Sequence, residues 1–154
     1  MATDDYVACR CCLLNGVLRP GLRLGSEAVE KYLKAIILYK EPGYPVIKYL
    51  HFLRKMSLKA SKLEPSFNPF QDFGETIDRL ELHYSLRYPK VTEFPYSAST
   101  AELARIDELV LYLYDSLPIP EVPKFRMNGY FFEVCCPWTP PLHFNPHKNW
   151  LERE

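Results

Sequence analysis

Arg79 and His83 stand four residues apart in Arg79-Leu-Glu-Leu-His83, a spacing that places a guanidinium and an imidazole on one face of a helix. Such a pair sets a fixed cation beside a group that gives and takes protons near neutral pH. A second set of residues has the types that bind zinc. Cys135-Cys136 is followed by His143 and His147, and the two histidines carry a spacing that zinc sites use. Adjacent cysteines chelate poorly, however, and in a strand their side chains point to opposite faces. Unliganded thiols, surface imidazoles and no metal are therefore expected.

Other chemistries find less. No phosphate loop of the Gly-x4-Gly-Lys-Ser/Thr type and no Gly-x-Gly-x-x-Gly fingerprint occurs. Ser26, Ser57 and Ser61 lack an elbow motif, and Cys9, Cys11 and Cys12 lack a motif-linked base. The five cysteines are an odd number without a secretory signal, which argues for free thiols. Cys9 and Cys12 share a helical face with Leu13 and read as small hydrophobes. No cofactor is implied.

The elements that must position these residues are helices. The first starts near Thr3 or Asp4, both good caps, and carries Tyr6, Cys9, Leu13 and Val17 on one face. Arg19-Pro20-Gly21 reads as a junction. A second helix runs to about Tyr39 and stops at Glu41-Pro42-Gly43. Within it Glu27 precedes Lys31 and Glu30 precedes Lys34 by four residues, the order that suits helical ion pairs. Ala28, Leu33, Ala35 and Ile36 supply its apolar flank, with small residues that admit a neighbouring helix. A third helix, from about Val46 to Leu63, presents Ile47, Leu50, Leu53 and Ser57.

The fourth follows Asn68-Pro69, places Phe73, Ile77, Leu80 and Tyr84 on one side, and ends at Pro89. The fifth opens with the capping box Ser99-Thr-Ala-Glu102 and carries Leu103, Ile106, Val110, Leu113 and Leu117 as a bundle seam. Short links between helices favour antiparallel neighbours, so an up-and-down arrangement is expected. Residues 118–154 differ, holding half of the 14 prolines and many aromatics. There Asn128-Gly129 between apolar triplets signals a β-hairpin. The hairpin and the Pro/aromatic-rich tail are expected to pack on the bundle or on a second protomer, since a lone hairpin is marginal in water.

A chain of 154 residues suits one domain with a real core. Formal net charge is zero, which removes the global electrostatic argument for non-specific nucleic-acid binding. No apolar run approaches the roughly 20 residues of a membrane span. Without a basic-then-apolar start, a cytoplasmic location is expected.

Three segments, Ala28-Val-Glu-Lys-Tyr-Leu-Lys-Ala35, His51-Phe-Leu53 and Tyr84-Ser-Leu-Arg-Tyr-Pro89, taken in this order, resemble the HEPN family (higher eukaryotes and prokaryotes nucleotide-binding). The resemblance covers roughly residues 4–117. It implies an all-α, four- to five-helix HEPN-like bundle over 1–117, with 118–154 as an extension. It also implies a polar groove for nucleotide or phosphate, bordered by Lys31, Lys34, His51, Arg54 and Arg87. Enzymes of that family carry Arg, four to six residues, then His, a pattern that no histidine here completes. Arg79 and His83, with three residues between them, come nearest. The implied function is therefore a non-catalytic, nucleotide-associated homodimer that pairs with a minimal nucleotidyltransferase, as in toxin–antitoxin systems. The alternatives are an atypical metal-independent endoribonuclease using Arg79 and His83, with RNA as substrate, and a homodimeric scaffold protein.

Overall fold

Apolar side chains at three- and four-residue intervals produce the expected number of helices, although Arg19-Pro20-Gly21 lies inside the second and the third starts later than Val46. The computed structural model describes residues 2–49, 51–85 and 100–117. Among them are five α-helices and no strand: α1 (Ala2–Leu14), α2 (Leu18–Lys40), α3 (Leu53–Leu63), α4 (Pro69–Ser85) and α5 (Thr100–Asp115). None is long and apolar enough to cross a membrane. The hairpin, the tail, Arg87, Pro89, Ser99, Cys135, Cys136, His143 and His147 lie outside the described residues.

Helix α2 is the hub and packs against all four others. Its buried residues run from Gly21 and Leu22 through Ala28, Val29 and Leu33 to Ile36 and Ile37. Close approach is possible because α2 lacks side chains where it crosses its neighbours. A Cβ on Gly25 would lie 3.0 Å from Cys9 Sγ and 3.5 Å from Leu80 Cδ2, and one on Gly21 would lie 2.8 Å from Leu13 Cδ2. Ala28 is buried in this seam, whereas Ala35, expected beside it, faces solvent. Val17 falls outside α1 and is 46% exposed rather than continuing its apolar face.

Contacts between helices fix their directions. Thr3 meets Tyr32, Cys9 meets Gly25 and Leu13 meets Gly21, so α1 and α2 are antiparallel. Arg54 meets Asp78 while Ser61 meets Asn68, so α3 and α4 are antiparallel. Arg79 meets Glu102 while Phe73 meets Tyr112, and α4 and α5 are antiparallel as well. The pair α2 and α3 departs from the up-and-down expectation. Glu30 meets His51, Glu41 meets Lys59 and Lys40 meets Glu64, so these two helices run the same way.

The cause lies in the connection. The segment expected to begin a long third helix instead breaks into a 3₁₀ turn at Val46–Tyr49, with α3 proper starting at Leu53. Gly43, at a φ of +87° that favours glycine, reverses the chain, and residues 44–49 return alongside α2. Ile47 is consequently 75% exposed instead of lying on a core face.

One polar cluster is built into the core. Asp107 of α5 accepts hydrogen bonds from Tyr6 Oη at 2.5 Å and from Arg10 Nη1, and Arg10 is 1% exposed. A buried charge is tolerated only when paired. Burial works against the Arg10 cation, but Asp107 and Tyr6 outweigh it and hold the guanidinium protonated. Burial pushes the Asp107 carboxyl upward, with Arg10 and Tyr6 opposing.

Candidate functional site

Glu30 lies on the hub helix where α3 begins and α4 ends, and it is buried. Lys34 Nζ donates to its Oε1 at 2.5 Å and His51 Nδ1 donates to its Oε2 at 2.7 Å. The His51 ring lies tilted at 34° against Tyr84 with centroids 3.9 Å apart, while its side chain remains 42% exposed. An ionised carboxylate only accepts, so Glu30 fixes the proton on Nδ1 and leaves Nε2 as the outward ring nitrogen. An imidazole held this way can accept a proton or a ligand hydrogen bond at Nε2.

Arg54 stands beside this cluster at the start of α3. No side chain of its own segment caps that helix. Glu81, reaching over from α4, does so by accepting the Arg54 backbone N–H at 2.9 Å. The Arg54 guanidinium lies 3.6 Å from Asp78 and 4.7 Å from the Phe70 ring centre.

The structure therefore brings two of the five expected residues, Lys34 and His51, onto one carboxylate, while the Arg54 side chain is engaged along α4 by Asp78 and Phe70. Lys31 turns the other way and pairs with Asp5 of α1. Its expected partner, Glu27, takes Arg23 instead. The Glu30–Lys34 pair forms as expected. Charge within the cluster is largely internal, because one carboxylate serves both Lys34 and His51.

Arg79 and His83 also occupy one helical face, opposite Glu102. Arg79 donates to Glu102 Oε2 at 2.8 Å and to Glu75 Oε1 at 2.7 Å. His83 is 6% exposed. Burial holds its imidazole below the ordinary value, Glu102 opposes that and Arg79 reinforces it. Glu102, expected to reach back in a capping box, is engaged by Arg79.

The serines serve structure. Ser57 and Ser61 donate to carbonyls one turn back in α3, and Ser26 is buried in α2. Cys9 is buried, and burial, with Asp107 and Cys12 adding, raises its thiol far above the ordinary value. No group of three or more metal-binding side chains occurs among the described residues.

Glu30 as the carboxylate that orients His51 and Tyr84 as its platform were not legible as a site, since 21 and 54 residues separate them from Glu30 with no periodic relation. A cleft of about 300 Å³ lies at the other end of α2, lined by Ile36, Lys40, Glu64, Phe67 and Tyr112 among others. The Lys40–Glu64 ion pair stands on it at 2.6 Å. Compared with family models, curated proteins and solved structures, the chain matches none.

Proposed function

We propose that the chain is a non-catalytic HEPN-type module that acts by binding: a homodimer associated with a nucleotide, or with a minimal nucleotidyltransferase as in a toxin–antitoxin pair. The observation that carries the non-catalytic reading is the placement of the Arg79/His83 pair. Its guanidinium is spent on Glu75 and Glu102, and its imidazole is buried and biased to the neutral form. A phosphodiester would have to displace both carboxylates to reach it.

The binding reading is supported by the Glu30–His51–Lys34 cluster with Arg54 beside it. It offers an oriented, partly exposed imidazole and an exposed guanidinium. Arginine suits bidentate phosphate contacts and lysine a point charge. Arg87 of the same groove lies outside the described residues.

The test is purification of the untagged full chain from its native host at modest salt, reading intact masses and the absorbance ratio at 260 and 280 nm. A stoichiometric nucleotidyltransferase chain, or bound nucleotide lost on His51→Ala and Arg54→Ala, supports the reading. A clean chain with neither overturns its nucleotide-associated part. RNA cleavage by the wild type that disappears in a folded His83→Ala variant overturns the non-catalytic part and favours the endoribonuclease.

A further inference from the structure

The cleft of about 300 Å³ beside Lys40 is built from side chains of two kinds. Ile36, Phe67 and Tyr112 give it an apolar wall, in which the Phe67 and Tyr112 rings stack with centroids 5.3 Å apart and planes 12° apart. Lys40, Glu64, Ser66 and Ser116 supply its polar edge. Each polar side chain there already has a partner within the chain. Lys40 pairs with Glu64, whose carboxylate also accepts from Ser66 Oγ at 2.6 Å. Ser116 Oγ donates to the Tyr112 carbonyl at 2.7 Å, and Tyr112 Oη accepts the Asn68 N–H at 3.1 Å. The cleft therefore presents aromatic and aliphatic surface to an occupant, and its hydrogen-bonding groups are engaged with one another.

The described chain leaves the bundle at this same place. Helix α5 ends at Asp115, Ser116 lines the cleft, and Leu117 packs half-buried against the core. The sequence continues as Pro118-Ile-Pro-Glu-Val-Pro123. We infer that the cleft is the seat of this segment of the same chain. Three of its six residues are prolines, which have no N–H to leave unsatisfied against an apolar wall. Ile119 and Val122 each precede a proline and are restricted to extended backbone, so little freedom is lost on docking. Extended, proline-rich chain on an aromatic-lined groove is a general mode of recognition. Six such residues reach roughly 19 Å, enough to cross from α5 to the loop after α3, because packed helices lie about 8–10 Å apart.

Other occupants fit less well. Pro137-Trp-Thr-Pro-Pro141 is similar in composition, but residues 118–123 join the cleft with no linker and so compete at the higher effective concentration. A nucleotide or another polar small molecule would need edge groups that are spent on one another. The seat uses no residue of the Glu30 cluster, so it stands whether or not that cluster binds a nucleotide.

The experiment is hydrogen–deuterium exchange of the full chain read by mass spectrometry, with fold checked by circular dichroism and mass in solution by light scattering. The double variant Ile119→Asp/Val122→Asp removes the apolar contacts of the segment. Peptides covering residues 64–68 and 112–117 are expected to exchange at least about tenfold faster in it than in the wild type, with peptides of α1 unchanged. Ser66→Phe, at an exposed position on the edge, fills the cleft from the other side. It is expected to free the amides of Ile119, Glu121 and Val122 to a similar extent. Unchanged exchange at 64–68 and 112–117 in the folded double variant overturns the inference, as do unchanged segment amides in folded Ser66→Phe. Protection at 64–68 and 112–117 that fades as a wild-type dimer is diluted to monomer also overturns it, because the segment then comes from a second copy.

Discussion

Replacing Asp107 by Leu leaves the Arg10 guanidinium buried with its carboxylate gone. Arg10 is 1% exposed, and its Nη1 bond to Asp107 joins residues 97 apart in sequence. Removing one partner of a buried ion pair costs about 3–5 kcal/mol, because the remaining charge is uncompensated. A small protein with a urea slope of about 1.5 kcal/mol per molar should then lose roughly 2–3 M of its unfolding midpoint. Against a total stability of about 5–15 kcal/mol, that leaves the variant near the edge of folding. The informative comparison is the double variant Arg10→Met/Asp107→Leu, which removes both charges and keeps apolar volume. Such replacements of buried pairs are often neutral or stabilising, so the double variant should be more stable than Asp107→Leu alone. Tyr6 Oη, which donates to Asp107 at 2.5 Å, loses its acceptor in both variants, so its cost cancels in the comparison. Urea titrations followed by circular dichroism measure all three proteins. A loss under about 1 kcal/mol for Asp107→Leu would refute the reasoning, since it would mean that the guanidinium reaches water with little cost.

Three further outcomes follow from the packing and the burial. Gly25→Ala places a methyl 3.0 Å from Cys9 Sγ and should cost about 1–3 kcal/mol by overpacking, with Cys9→Ala in the same chain recovering much of it. His83 binds its proton less readily folded than unfolded, so its stability contribution is complete above the ordinary value of 6.5 and is lost as pH falls below it. Urea midpoints at high and low pH should therefore converge in a folded His83→Gln variant relative to the wild type. In native protein, alkylation mapped by mass spectrometry should spare Cys9, whose thiol is buried and held protonated, until urea opens the fold.

Most of the helices were legible because periodicity and punctuation act locally. Ile77, Leu80 and Tyr84, and Leu103 through Leu113, form the stripes their spacing demands, whereas α4 kinks at Phe73, and Pro20 and Gly21 lie inside α2. The direction of α3 was not legible, since it depends on how far residues 44–49 travel back along α2 before a helix begins. Ile47 and Val17 look like core residues by type alone, yet both sit where the chain turns, and their exposure is a consequence of path. The candidate site divides in the same way. The Glu30–Lys34 pair is a four-residue relation and was visible, while Glu30–His51, Asp5–Lys31 and Arg79–Glu102 are tertiary relations that compete for the same charges. Lys31 pairs with Asp5 for this reason, the carboxylate on α1 being preferred to the one four residues away.

The Arg10–Asp107 bond has a consequence in time as well as in space. At about 5–20 residues per second of synthesis, the carboxylate that neutralises Arg10 is made some 5–20 s after Arg10 itself. Until then Asp107 is missing from the core-facing side of α1, and docking that side against α2 would bury Arg10 without its carboxylate. A nascent chain halted before Asp107 is therefore expected to be more open to protease in α1 than the full chain.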